Sequence, residues 1–271
     1  MTFKVKGLLT QYTRFRACRR AGSSEQSGKG GIVEDRILNL RLSDFKREGL
    51  YLLFPDSTRL ELTKENIEQV TDRYWQDPMK IPEEMRKAID FQKCYFCPHK
   101  NEEDICDSIR PMLPFLDIVD QYVSYDQVIA VYKGDEDNLV HVKATTMQDA
   151  LKYVSILNLL RYNLVLQKYW KYYYGIIPIM GGREVATRVY LNMYWLHKGN
   201  IEEIKRIIKR FGEELSVSST NQVKRLNLVC KNDAFVNAFV NTQLVTQFLV
   251  NIEAILTKSF NDFESHFRIR Q

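Results

Sequence analysis

Three of the chain's five cysteines fall within fourteen residues, "KCYFCPHKNEEDIC", as Cys94, Cys97 and Cys106. Two residues separate the first pair, the spacing at which two thiolates on one tight turn can grip a tetrahedral ion such as zinc. Pro98 would stiffen that turn. Cys106 returns at the threshold of a helix, whose N-terminal dipole favours a thiolate. His99 is the nearest candidate for a fourth ligand, although Cys-Pro-His is shorter than the usual zinc spacings. His141 and Cys230 could complete the sphere only if the fold carried them there, and Glu102, Glu103 and Asp104 add weaker carboxylates. A three-ligand site would leave a position open for water, as catalytic zinc does. The same residues also read as plain reduced thiols or as a redox pair. A thioredoxin-like role wants CxxC between a strand and a helix, and the proline-punctuated connection before Cys94 argues against it. A zinc-holding staple is therefore the first expectation, plain thiols the second and redox chemistry the third.

Other chemistry is sparse. GxGxxG, the Walker loop, HExxH and GxSxG are all missing, so no residue is assigned a catalytic role. In "MGGRE", the amides of Gly181 and Gly182 with Arg183 could cradle an anion, though a Gly-Gly pair before a helix is more often a turn. In "QKYWKYYYG", aromatics interleave with lysines, as a stacking platform for single-stranded nucleic acid would require. On a helix, however, Tyr169, Trp170 and Tyr173 share one face, which points to a core or a protein interface.

The totals bound what these residues can belong to. With 271 residues, 45% hydrophobic and 27% charged, the chain can bury a real core. No window of about eighteen residues is apolar and free of charge, so no membrane span is expected. The net charge of +5 is uneven. Residues 1–31 hold seven basic side chains and one acid, which leaves the remainder at −1. Only this arm, ending in the flexible "AGSSEQSGKGG", could supply phosphate attraction for nucleic acid. An odd cysteine count without an apolar leader favours a reducing, cytoplasmic compartment over a secreted disulfide scaffold.

The elements that must position these residues follow from periodicity. Strand signals run through "RILNLRLSDF", where Ile37, Leu38, Leu40 and Leu42 alternate, and through "GLYLLFPDSTRLELT" around a Pro55–Ser57 turn. A helix is expected after Thr63, whose hydroxyl could cap it, and a short one near Pro82. Another is expected in "DSIRPMLPFLDIVDQYVS", with its prolines at the first turn. "QVIAVYKGDEDNLVHVKATT" reads as a hairpin. Beyond Met147, helical spacing covers residues 147–163, 165–174, 183–198, 200–213 and 232–260. The expectation is an α+β protein with a flexible basic arm over 1–31, a strand-rich region with the cysteine knuckle over 32–146 and a helical region over 147–271.

In this order, "CYFCP", Cys106, "SYDQVIAVYK", "HVKATTMQDAL", the Pro178–Tyr194 segment and "KNDAFVNAFV" resemble a family of uncharacterised bacterial proteins. That family has N-terminal strands, a paired CPxCP cysteine element and a helical C-terminal half. The resemblance runs from about Ile37 to Phe263. The family pattern adds a cysteine in "SGCP" and a histidine in "HLP". Here the matching stretches are "LLRYNLVLQ" and Ile176-Ile177-Pro178, without either residue, so a family metal site would be incomplete. With no activity assigned to that family, the resemblance implies architecture alone. The function expected from the whole is a soluble, non-enzymatic interaction protein. A cysteine-dependent enzyme and a nucleic-acid binder acting through the arm are the alternatives.

Overall fold

The computed structural model describes residues 39–63, 65–69, 83–91, 94–98, 115–134 and 139–252, with positions 37, 72, 106, 108 and 254. The chain divides into two compact units, Met1–Leu40 and Arg41–Gln271. In the first, Leu40 N–H donates to Ile37 O at 3.3 Å, a turn. The basic arm and His99 lie outside the described residues.

The second unit holds a four-stranded antiparallel sheet in the order β2-β1-β3-β4, with β1 Gly49–Leu53, β2 Arg59–Thr63, β3 Gln127–Lys133 and β4 Val140–Thr146. The period of two works as expected: Leu50, Leu52, Leu60, Leu62, Val128 and Ala130 share one face and enter the helical core. The β1–β2 turn is closed by Phe54 N–H to Thr58 O at 3.0 Å, with Asp56 accepting from the Thr58 amide and hydroxyl. Thr63 Oγ1 accepts from Asn66 N–H at 3.2 Å, capping the helical residues 65–69.

The segment around Leu40 and Leu42 is no strand. Asn39 lies in a turn, and Leu42–Asp44 form a short 3₁₀ helix, with Asp44 N–H bound to Arg41 O. Local turn hydrogen bonds take the amides that a ladder would have used. Helix α1 spans Glu83–Asp90, where the proline signal placed it. Helix α2 covers Leu116–Val119; of the longer helix its spacing suggests, residues 109–114 lie outside the described residues, and the C-terminal end stops short of Tyr122. The reason lies at Asp120, whose carboxylate accepts the amides of Lys231 and Asn232 at 2.9 Å and ties the chain to a distant turn.

The remaining helices are α3 Met147–Tyr162, α4 Gly182–Leu196, α5 Ile201–Val229 and α6 Ala234–Val250. Helix α6 is apolar nearly all round and is therefore central, packed against α3, α4 and α5. At Gly182 a Cβ would stand 2.7 Å from the Phe248 ring, so the glycine permits the close approach of α4 to α6. Between α4 and α5, Lys198 and Gly199 adopt φ of 51° and 74°, and Asn200 Oδ1 caps α5 through Glu203 N–H. Residues Gln167–Tyr173 form a 3₁₀ helix, launched by Asn163 Oδ1 accepting the amides of Val165 and Leu166. The largest departure is in α5, which runs sixteen residues past the expected end at 213.

Candidate thiol site

That extra length builds the site. Ile204, Ile208, Phe211 and Leu215 form the core-facing stripe of α5, and the stripe continues at helical spacing as Ser218, Gln222 and Arg225. All three are buried, Arg225 to 1% exposure. A buried guanidinium or amide is tolerated only when hydrogen-bonded. Here the donors' partners come from the cysteine-bearing segment, while the buried Gln222 Oε1 has no partner among the described residues.

The Cys94 thiol donates to Ser218 Oγ at 3.8 Å, and its sulfur accepts from Asn221 Nδ2 at 3.5 Å. The Cys106 sulfur accepts from Gln222 Nε2 at 3.7 Å and from Arg225 Nη1 at 2.6 Å, and lies 3.1 Å from Ser108 Oγ. Gln222 also donates to Ser108 Oγ. Arg225 Nε donates to Phe91 O at 2.5 Å, just past the end of α1, where a cation complements the carbonyl end of the helix. The Cys94 contacts centre on Ser218 and Asn221 and those of Cys106 on Gln222 and Arg225. The two sulfurs therefore grip α5 one turn apart, about 5–6 Å along its axis.

Cys97 is half-buried, and its amide donates to Cys94 O at 2.8 Å, so the CxxC pair does form a tight turn. Anchored by Cys94, this turn presents Tyr95 outward at 78% exposure. Among the described residues no three His, Cys, Asp or Glu side chains converge as a metal would need. A cation at Cys106 would also face the positive charge of Arg225, so the described donors do not fit zinc. The distant donors considered from sequence go elsewhere. His141 lies beside Tyr132 across the β3–β4 ladder, and Cys230 ends α5, where burial and then the Asp120 carboxylate push its thiol up to about 12.

The other candidates separate. Gly181 and Gly182 do open a helix and line a cleft with Lys143 and Lys152, but Arg183 stays exposed outside the lining. The Gly181 amide is already taken by Glu184 Oε2 at 2.5 Å, which puts a carboxylate where an anion would sit. Of the core and interface readings, Tyr169 and Tyr173 take the core: both are buried against Phe211, at ring distances of 4.7 and 6.1 Å. Only Trp170 of that trio is exposed. Tyr169 OH donates to Glu214 at 2.8 Å, and Lys168 and Arg210 bind the same carboxylate. Burial opposes ionisation of Glu214, yet those hydrogen bonds outweigh it and hold the carboxyl below its ordinary value.

Sequence reasoning missed Ser218, Asn221, Gln222 and Arg225. Their signal was present, as polar residues continuing an apolar stripe at the same spacing. Comparison with protein-family models, curated proteins and solved structures finds no match to this chain. Fold and site together define an α+β protein whose cysteine segment is tied to the polar half of its longest described helix. Among the described residues no helix is long and apolar enough to cross a membrane.

Proposed function

We propose that the chain is a non-enzymatic protein that binds a protein partner through the outer face of α4, with the cysteine segment as an internal tie. One observation carries this reading. Leu191, Tyr194 and Trp195 stand exposed at helical spacing, and the backbone of exposed Tyr174 is tied to the same helix, its carbonyl accepting from Asn192 Nδ2 at 2.8 Å. Trp195 is 79% and Tyr174 84% exposed. Clustered exposed aromatics of this size mark interaction surfaces, and Trp and Tyr dominate binding hot spots.

The exposed cations Arg183, Arg188 and Lys198 flank this face. A two-fold pairing of copies would bring these like charges together. A different protein with an apolar centre and acidic rim complements them. The test is a photo-crosslinking residue at position 195 in living cells, with position 209 on α5 as control. The reading expects an adduct with another protein that is specific to position 195 and weakened by Arg188→Glu. Equal labelling at both positions, or adducts with a second copy alone, would overturn it. The internal tie needs no metal. Elemental analysis returning about one zinc per chain after metal-free purification would replace it with a zinc staple.

A further inference from the structure

We propose that the cleft between the sheet and the first turns of α3 binds a small organic anion, a carboxylate or phosphate monoester with a short apolar body. Leu50 of β1 and Ala130 of β3 form its floor, and Pro178, Ile179 and Met180 form a wall. Its volume is about 240 Å³. That lies below the roughly 300 Å³ at which drug-sized sites begin, so the occupant is small.

Two lysines reach this space. Lys143 pairs with Ala130 across the β3–β4 ladder and so points to the sheet face that carries the core, not to the opposite face. Its Nζ donates to Ile179 O at 3.2 Å, a neutral partner that leaves the charge uncompensated there. Lys152, on the second turn of α3, has only 19% of its side chain exposed. Its ammonium lies 3.5 Å from Asp149 Oδ1. Thr145 adds a polar side chain beside them.

Among the lining side chains two ammonium groups face one carboxylate, Asp149, while the Glu184 carboxylate sits outside the lining on the Gly181 amide, so the positive excess is confined to the end of the cleft where Lys143 and Lys152 lie. In a partly enclosed cleft with an apolar floor, that excess acts through a lower effective dielectric than at an open surface. Since Glu184 already occupies the Gly181 amide, the lysines and not the α4 N-terminus supply the attraction. An inward lysine on an edge strand also discourages edge-to-edge pairing. That role alone requires neither the cavity nor the second, mostly buried lysine.

Calorimetric titration with butyrate, with inorganic phosphate and with neutral butanol separates these cases. The wild type, Lys143→Met, Lys152→Met and the control Lys209→Met would be compared, with Ala150→Met added to fill the cleft should a lysine variant fail to fold. Saturable binding is expected for at least one of the two anions and not for butanol. It should weaken tenfold or more in both lysine variants and in Ala150→Met, and stay unchanged in Lys209→Met. Preference for butyrate would identify a carboxylate with an apolar tail, and preference for phosphate a phosphoryl group. No saturation by either anion up to about 10 mM, an affinity range of only about −3 kcal/mol, would overturn the proposal. So would equal affinity in the wild type and the lysine variants.

Discussion

The two halves of α5 share one helix and one buried stripe but bury opposite chemistries. From Ile204 to Leu215 the stripe is apolar, with Phe211 lodged against Tyr169 and Tyr173. From Ser218 to Arg225 it is polar, and it packs against sulfurs, a hydroxyl and a backbone carbonyl. The first half can pack against any apolar surface of matching shape. The second accepts only a segment that returns hydrogen bonds at the right positions, because an unmet buried donor costs about 1–3 kcal/mol. The apolar half thus supplies stability, and the polar half selects which piece of chain may lie there.

The largest effect is expected from Phe211→Ala in the apolar half, a loss of about 3–5 kcal/mol in urea unfolding. Arg225→Met in the polar half withdraws donors from Cys106 and Phe91 O, and should cost less, about 1–3 kcal/mol. Its signature is local. Alkylation of Cys94 and Cys106 in the native state should accelerate, since opening of the tied segment no longer requires global unfolding. Unchanged thiol protection in this variant would erase the contrast between the halves.

Glu214 sits where the halves meet, next to Leu215, and sharpens the comparison by pH. Its folded pKa lies below the ordinary carboxylate value, so its contribution is full above the unfolded pKa and is lost as pH falls through the folded one. Glu214→Gln should therefore cost about 1–2 kcal/mol at pH 7 and progressively less below about pH 4, measured by thermal melts across pH. A pH-independent difference would remove the charge from the account. The smallest effect belongs to Trp195→Ser on the outer face of α4. It should change stability by no more than about 0.5 kcal/mol while abolishing partner crosslinking from a probe placed at the neighbouring exposed position 191.

Much of this was legible because water exclusion writes a period into sequence. Short apolar runs beside turn residues in "GLYLLF" and "QVIAVYK" marked strands, Thr63 marked a cap and the Gly199-Asn200 pair the boundary before α5, whereas the alternation at 37–42 marked a strand that does not form. The reading failed where side chains answer distant polar groups. The polar stripe of α5 hid its last sixteen residues, since a serine, glutamine and arginine facing inward look like a solvated surface. Asp120 cut α2 short through amides more than a hundred residues away. The cysteine spacing marked the right segment and its tight turn, yet nothing local could show that Arg225 would meet Cys106. Trp195 and Tyr174 were likewise unreadable as a surface, because exposed and buried aromatics share the same stretch.

The central claim is that the sulfur of Cys106 and the guanidinium of Arg225 hold the cysteine segment onto α5. A double-mutant cycle of Cys106→Ala, Arg225→Met and the combined variant, read by urea unfolding, tests it directly. A coupling of about 1–3 kcal/mol is predicted for a charge-assisted contact. Additivity within about 0.3 kcal/mol would contradict it.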